Sequence, residues 1–391
     1  MRKRILFLIY SSSNKAGGGH YYSLLTLLEF LGDKIDFKVL NVGETHATTL
    51  RKGNSSSDFI KMTKSTFAMD LFKVHKYITS YNPDIIHAFD YYALLVAKSL
   101  QIFLKKPLIF QKCGGVNGIK QVPFADSYIC FSEENRSFMI KHKRNSKSVH
   151  LIPNRAKSVI CDSKRIDSLI SNYKLESKKI LMRISRISSM HELSLSQSIN
   201  MLKFLHRQDK SYTLLIIGIV QEEDVLNRLN YQSFNYPVLF ITQDYFTNKA
   251  SDLLCLADIV IATGRGVMEA ASLGKKIFCP VKNAKYPAPL NKENLDQMMS
   301  LNFSGRIKNI DSSEEIILKS LERDIYNSQA FMLNLFKEKF DVTTVIPQYL
   351  NIYHNIQFSG FSMLKMVNYI INMLYYFKPS WMNSRIFKIG K

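Results

Sequence analysis

The residues with the plainest chemical use lie in the stretch ADIVIATGRGVMEAASLGKKIFCP, residues 257–280. Its first part, 258–262, is a short β-branched run closed by the turn Thr263-Gly264-Arg265-Gly266. Residues 267–273 carry the Ala, Met and Leu content of a helix ended by Gly274, and 276–279 resume as a strand before Pro280. Strand, glycine turn, helix, strand is a βαβ unit, which sets the hinge at the carboxyl edge of a parallel sheet, where such folds place ligands. A helix opening after Gly266 presents backbone N–H groups and the positive end of its dipole, so the favoured guest is a phosphate or another anion. The same turn also serves many βα connections for geometry alone, and Glu269 in the first helical turn is favoured by the dipole with no ligand at all.

A second turn of this kind is Gly17-Gly18-Gly19, set between an opening strand and a helix that begins near His20 with apolar spacing through Leu24, Leu27, Leu28 and Leu31. It lacks the spaced GxGxxG and the Walker Gly-Lys-Ser/Thr, which argues against a dinucleotide or P-loop site. It reads either as a flexible turn or as a glycine loop facing an anion.

The elements that must position these turns alternate along the chain. Strands are expected at 4–10, 37–42, 85–87, 108–111, 128–131 and 149–152. After Pro153-Asn154 the pattern restarts, with strands at 179–184, 213–217, 238–241, 259–262 and 277–279. Alternation with helices implies an α/β fold of two doubly wound, Rossmann-like domains, 1–153 and 154–345, facing a central cleft, with a helical basic tail at 346–391. Residues 44–66, rich in Ser, Thr and Lys, read as a mobile loop or insertion.

Composition narrows the class. The 391 residues carry a net charge of +21, and the first 152 hold 22 Lys and Arg against 11 Asp and Glu. Such a balance seeks polyanions, although no nucleic-acid-reading motif accompanies it. The five cysteines, at 113, 130, 161, 255 and 279, form no CxxC pair, so neither a disulfide framework nor a zinc site is expected, and a reducing compartment fits best. The opening MRKRILFLIYSSS has an apolar run shorter than the ~7–15 residues of a signal-peptide core, and no run reaches the ~20 residues of a membrane span.

The order of these pieces resembles the retaining nucleotide-sugar glycosyltransferases of the GT-B fold, family 4 (glycosyl transferases group 1), over residues 4–345. RILFLIY with GGGH resembles the family's first strand and glycine loop, and NPDIIHAFDYYALLVA its strand ending in histidine. FADSYICFSEENRSFMIK and VHLIPNRA resemble its next strand-helix and its linker, with Arg155 where the family has Gly. KKILMRISRISSMHE, TLLIIG and the 257–280 stretch resemble its diphosphate-binding loop, a following strand and its nucleotide-binding Glu motif.

The resemblance implies roles for single residues. Arg186 would neutralise the leaving diphosphate. His191 stands where the family's partner lysine belongs. Glu269 would accept from the ribose hydroxyls, since both oxygens of a carboxylate accept. Backbone N–H groups of Val267 and Met268, beside Gly266, would meet phosphate; Gly18 and Gly19 would approach the diphosphate from an acceptor-side first domain; and His87 would touch the transferred sugar. The family's earlier Glu is replaced by Ile261, and Arg265 could reach the diphosphate or sugar in its place. No cofactor or metal is required, and a UDP-sugar is the expected donor.

The implied activity is metal-independent transfer of a sugar to a carbohydrate or lipid-linked acceptor in bacterial surface polysaccharide biosynthesis, lipopolysaccharide or capsule. A nucleotide-sugar epimerase and a non-catalytic partner of the same fold stand as alternatives. The expected location is cytoplasmic, with peripheral contact at the inner face of the plasma membrane. A helix over 361–377 has a narrow polar stripe, Ser362, Lys365 and Asn372, beside a broad apolar one. The basic groups Lys378, Arg385, Lys388 and Lys391 and the aromatic Trp381 follow. This suits an anionic membrane surface, or equally a helix crossing back to cover the N-terminal domain.

Overall fold

The structure, a computed structural model, describes residues 2–12, 19–51, 57–117, 122–142, 144–322 and 325–377. Gly17, Gly18 and the basic groups beyond Phe377 lie outside the described residues. The chain divides into two compact units, Met1–Ile152 together with Val345–Lys391, and Pro153–Thr344.

In the first unit the elements run β1 (Arg4–Ser11), α1 (Gly19–Leu31), β2 (Asp36–Gly43), α2 (Thr48–Arg51), β3 (Ser57–Lys61), α3 (Phe67–Tyr81), β4 (Ile85–Ala88), α4 (Tyr91–Leu104), β5 (Leu108–Lys112), β6 (Ser127–Cys130), α5 (Glu133–Lys141) and β7 (Val149–Leu151). They build a parallel seven-stranded sheet in the order β3-β2-β1-β4-β5-β6-β7. Ile5 to Ile9 of β1 are all fully buried, as a strand covered on both faces requires.

The second unit holds α6 (Ser163–Tyr173), β8 (Lys179–Ile184), α7 (Ser189–Arg207), β9 (Tyr212–Ile217), α8 (Glu223–Gln232), β10 (Val238–Ile241), α9 (Asp244–Thr247), β11 (Ile259–Ile261), α10 (Arg265–Ser272), β12 (Lys276–Cys279), β13 (Ala288–Pro289), α11 (Leu295–Ser300), α12 (Glu314–Glu322) and α13 (Ile325–Leu335). Its sheet order is β10-β9-β8-β11-β12-β13, parallel except for β13. Alternate residues feed opposite faces: Met182, Leu215 and Ile217 join one core, Leu181, Leu214 and Ile216 the other. In each sheet the order reverses at one place, between β1 and β4 and between β8 and β11, which is where doubly wound folds open a crevice at the strands' carboxyl ends.

The chain then returns to the first unit as α14 (Ile346–Asn355) and α15 (Met363–Phe377). Tyr349 and Tyr353 of α14 are buried there, and Tyr369 of α15 donates to Ser99 Oγ on α4 at 2.7 Å. Among the described residues no helix is long and apolar enough to cross a membrane.

Three expectations change. Residues 44–66 are not one loop, because β3 pairs with Val39–Gly43 as an edge strand; its Ser and Lys content suits an edge with only one neighbour. Helix α10 starts at Arg265, two residues earlier than expected, because Gly264, at φ +53°, makes the N-cap turn. Cys161 and Cys255, 94 residues apart in sequence, form a disulfide with Cα atoms 6.1 Å apart; no local spacing could have signalled the pair.

Candidate nucleotide-sugar site

The end of β8 in the second unit gathers two arginines and a histidine. After Ile184 the chain turns at Ser185-Arg186, and the end of β9 approaches so closely that a Cβ on Gly218 would stand 1.9 Å from the Ser185 carbonyl oxygen. Glycine is therefore required at that position. Arg186 lies half-buried before Ser188, the N-cap of α7, and its Nη2 donates to Nε2 of His191 in the first turn of that helix at 3.2 Å.

Beneath them lies Arg183, only 2 % exposed, on the β8 face that packs against α7. Its Nη1 donates to the Ile261 carbonyl at 3.2 Å, and its Nη2 to Ser194 Oγ on α7 at 2.9 Å and to Thr263 Oγ1 at 3.3 Å. One buried guanidinium thus ties α7 to the turn between β11 and α10. All three of its acceptors are neutral. Among the described residues neither Arg183 nor Arg186 has a carboxylate partner.

The electrostatics follow from burial. Desolvation lowers the Arg183 pKa to about 10 and pulls that of Arg186 below its ordinary value; both stay charged at neutral pH. Burial first, and then the two arginines, hold His191 down at about 4. The imidazole is therefore neutral, and its Nε2 accepts from Arg186. In this state it is an orienting group for the arginine and not a second cation.

The other expected residues fall in two groups. Arg265 and Glu269 are together on α10, Nε to Oε1 at 2.7 Å with side chains 14 % and 18 % exposed, and Arg265 Nη1 also donates to the Arg155 carbonyl at 3.3 Å. The first-turn N–H groups are already engaged: Gly266 donates to Thr263 O at 3.2 Å and Val267 to Gly264 O at 3.1 Å. Val267 and Met268 are buried. The expectation that the Val267 and Met268 N–H groups meet phosphate is thus corrected for Val267, because the helix begins earlier and its tight first turn uses that group.

His87 belongs elsewhere. On β4 of the first unit it points to the face covered by α14, fully buried, with Nδ1 3.0 Å from the Tyr353 hydroxyl and its ring against Phe7, Phe89, Tyr349 and Tyr353. Period-two alternation puts His87 opposite Ile86 and Ala88, in an aromatic core. Gly19 opens α1, and the space where its Cβ would be is empty. Gly18 lies outside the described residues.

Arg183 is the residue that sequence reasoning missed. A signal was present: one arginine inside KILMRI, a strand otherwise apolar on both faces, cannot avoid burial.

Neither a protein-family model nor a curated protein matches this sequence. Solved structures match over nearly its whole length. HepE of Anabaena, in complex with UDP and glucose, is 17 % identical with a TM-score of 0.66, over 91 % of this chain and 100 % of that one. A glycosyltransferase of Rickettsia africae is 14 % identical with a TM-score of 0.62, over 90 % and 98 %. A putative UDP-N-acetylglucosamine 2-epimerase of Listeria monocytogenes is 12 % identical with a TM-score of 0.58, over 90 % and 96 %. The likeness shows the fold: this is the GT-B architecture on which nucleotide-sugar glycosyltransferases and epimerases are built.

Proposed function

We propose that the protein is a glycosyltransferase that binds a nucleoside-diphosphate sugar at the carboxyl edge of the second unit's sheet and transfers the sugar, with retention, to a carbohydrate or lipid-linked acceptor of a bacterial surface polysaccharide. The observation that carries this reading is the pair Arg183 and Arg186, two partly or wholly desolvated guanidiniums with no carboxylate to offset them, at the switch point of a GT-B unit. A buried charge without a partner is costly, and a diphosphate supplies the missing charge. As the bond to the sugar breaks, charge gathers on the departing diphosphate, and a fixed guanidinium stabilises it without reorganising.

Glu269 retains an oxygen beyond the one held by Arg265, and in this reading it receives a ribose hydroxyl. Arg265, the residue after the N-cap and already fixed to Glu269, braces that carboxylate. The donor is a UDP-sugar, supported by the UDP complex of HepE; the reaction uses no metal or other cofactor; and the protein works in the cytoplasm against the inner face of the membrane.

The likeness to an epimerase keeps a second reading open, and Ile261, standing where the resembled family carries a sugar-binding Glu, keeps open a non-catalytic partner. A thermal-shift panel of UDP-, GDP-, ADP- and dTDP-sugars, followed by incubation of the stabilising donor with no acceptor, separates them. Stabilisation with little conversion supports the transferase. Rapid conversion of the donor to its epimer establishes the second reading. No stabilisation by any donor refutes both and leaves a non-catalytic partner.

A further inference from the structure

Helix α15 is oriented opposite to a helix that merely covers a protein core. Two of its three buried residues are asparagines: Asn368 is 8 % exposed, and Asn372 is 2 % exposed and accepts from the Tyr91 hydroxyl at 2.8 Å; the third, Tyr376, packs against Phe67 and Tyr92. Its apolar residues face outward, with Met363 85 %, Leu374 69 %, Leu364 63 %, Val367 48 % and Ile370 48 % exposed. An amphipathic helix packed on a globular unit ordinarily does the reverse. The orientation is fixed by hydrogen bonds to α4 that would otherwise be lost, Tyr369 to Ser99 Oγ at 2.7 Å and the Tyr91 hydroxyl to Asn372 Oδ1 at 2.8 Å.

We propose that this outward face of α15 is a docking surface for an anionic lipid membrane, into which the helix lies flat. Apolar exposure continues on the adjoining helices, where Phe72 of α3 is 71 % exposed and Phe103 of α4 is 72 % exposed. The charge around it is mainly positive. Lys73 and Lys76 of α3 are exposed and Lys365 of α15 is half-buried, while Lys98 of α4 is buried; the acids nearby are Asp70, buried and held by Lys73 at 2.8 Å, and Asp126, which accepts from Ser359 N at 3.1 Å.

An apolar face bordered by cations is what an anionic interface binds: the acyl boundary takes the side chains and the headgroups take the lysines. A second copy of the chain is the less favourable occupant. A twofold contact would set this face against itself and bring the same lysines together.

The test is co-sedimentation of the full chain with vesicles of phosphatidylglycerol and phosphatidylcholine, and with phosphatidylcholine alone, beside the variant Met363→Gln/Leu364→Gln/Leu374→Gln. All three positions are exposed, so the variant keeps its melting temperature and its donor-induced thermal shift. The expected result is binding to the anionic vesicles only, weakened by salt and reduced at least about tenfold in the variant. Equal binding by the variant would move the contact off α15 and overturn the proposal. So would absence of parent binding, or a parent that is dimeric in light scattering and becomes monomeric in the variant without binding vesicles.

Discussion

Gly43 at the end of β2 stands over Ser11 as Gly218 after β9 stands over Ser185: in each place a Cβ would lie about 2 Å from a carbonyl oxygen of the neighbouring strand's end, at 2.0 Å and 1.9 Å. The two switch points share a backbone device and differ in charge. In the first unit a carboxylate fills the position between the strand ends. Asp90 caps α4, accepting from Ala93 N at 2.8 Å and from Tyr10 N at 2.7 Å, with the tilted rings of Tyr10 and Tyr92 in contact nearby, centroids 4.9 Å apart. Its donors and acceptors are matched internally. In the second unit the corresponding edge holds two arginines and a neutral histidine, and the charge is left unmatched. Topology supplies a crevice in both; only the uncompensated charge marks one of them as an anion site.

The largest expected break in this comparison is Arg186→Ala, which removes at least about 2 kcal/mol of transition-state stabilisation, roughly a thirtyfold fall in kcat/KM, with the fold intact. Near-parental kcat/KM would remove Arg186 from the chemistry and with it the reason for placing the donor there.

Arg183→Met sharpens the same point from below. It sacrifices three hydrogen bonds to neutral groups but also deletes a buried, unpaired charge, so unfolding free energy should change by no more than about 1 kcal/mol, while donor affinity measured by calorimetry falls about tenfold. A large loss of stability with unchanged affinity would make Arg183 a purely structural tie.

The two units should also answer pH with opposite signs. Burial raises the Asp90 pKa to about 6, above its ordinary 3.8, so the folded state binds the extra proton and this contribution is present at low pH and lost as pH rises through about 6. His191 is lowered from 6.5 to about 4, so its contribution is present above pH 6.5 and lost as pH falls toward 4. Allowing for solvent screening, each is on the order of 1 kcal/mol. Relative to the parent, Asp90→Asn should lose melting temperature increasingly as pH drops from 6 to 4, and His191→Gln should recover it. Parallel slopes would contradict the assignment.

The smallest effect is expected at His87, where Phe can fill the aromatic site and the bond to Tyr353 is lost. His87→Phe should cost about 1 kcal/mol of stability and change kcat/KM less than about threefold. A collapse of activity in a folded variant would return His87 to the sugar.

Much of this was legible along the chain. Largely apolar runs of 3–7 residues bounded by turn residues located all eleven expected strands, because a strand buried on both faces must be largely apolar. The strand pattern restarts after Pro153, and the second compact unit runs from Pro153 to Thr344. The strands that escaped notice, β3 and β13, are edges: one is polar, and the other is a two-residue pairing containing Pro289. A strand with a single neighbour need not advertise itself by hydrophobicity.

The sequence by itself determined which residue types stand at strand ends: a glycine turn before Glu269, an arginine and a histidine five residues apart, and a last helix with one narrow polar stripe. Tertiary structure decided what those groups face. Alternation about β4 sent His87 into a core covered by a helix from 266 residues further on, and Arg265 was committed to Glu269 within its own helix. Tyr91 and Ser99 drew the polar stripe of α15 inward, leaving its apolar side exposed. Periodicity in one dimension says that a helix has two faces. Which face is buried depends on the hydrogen-bonding groups that the rest of the fold brings against it.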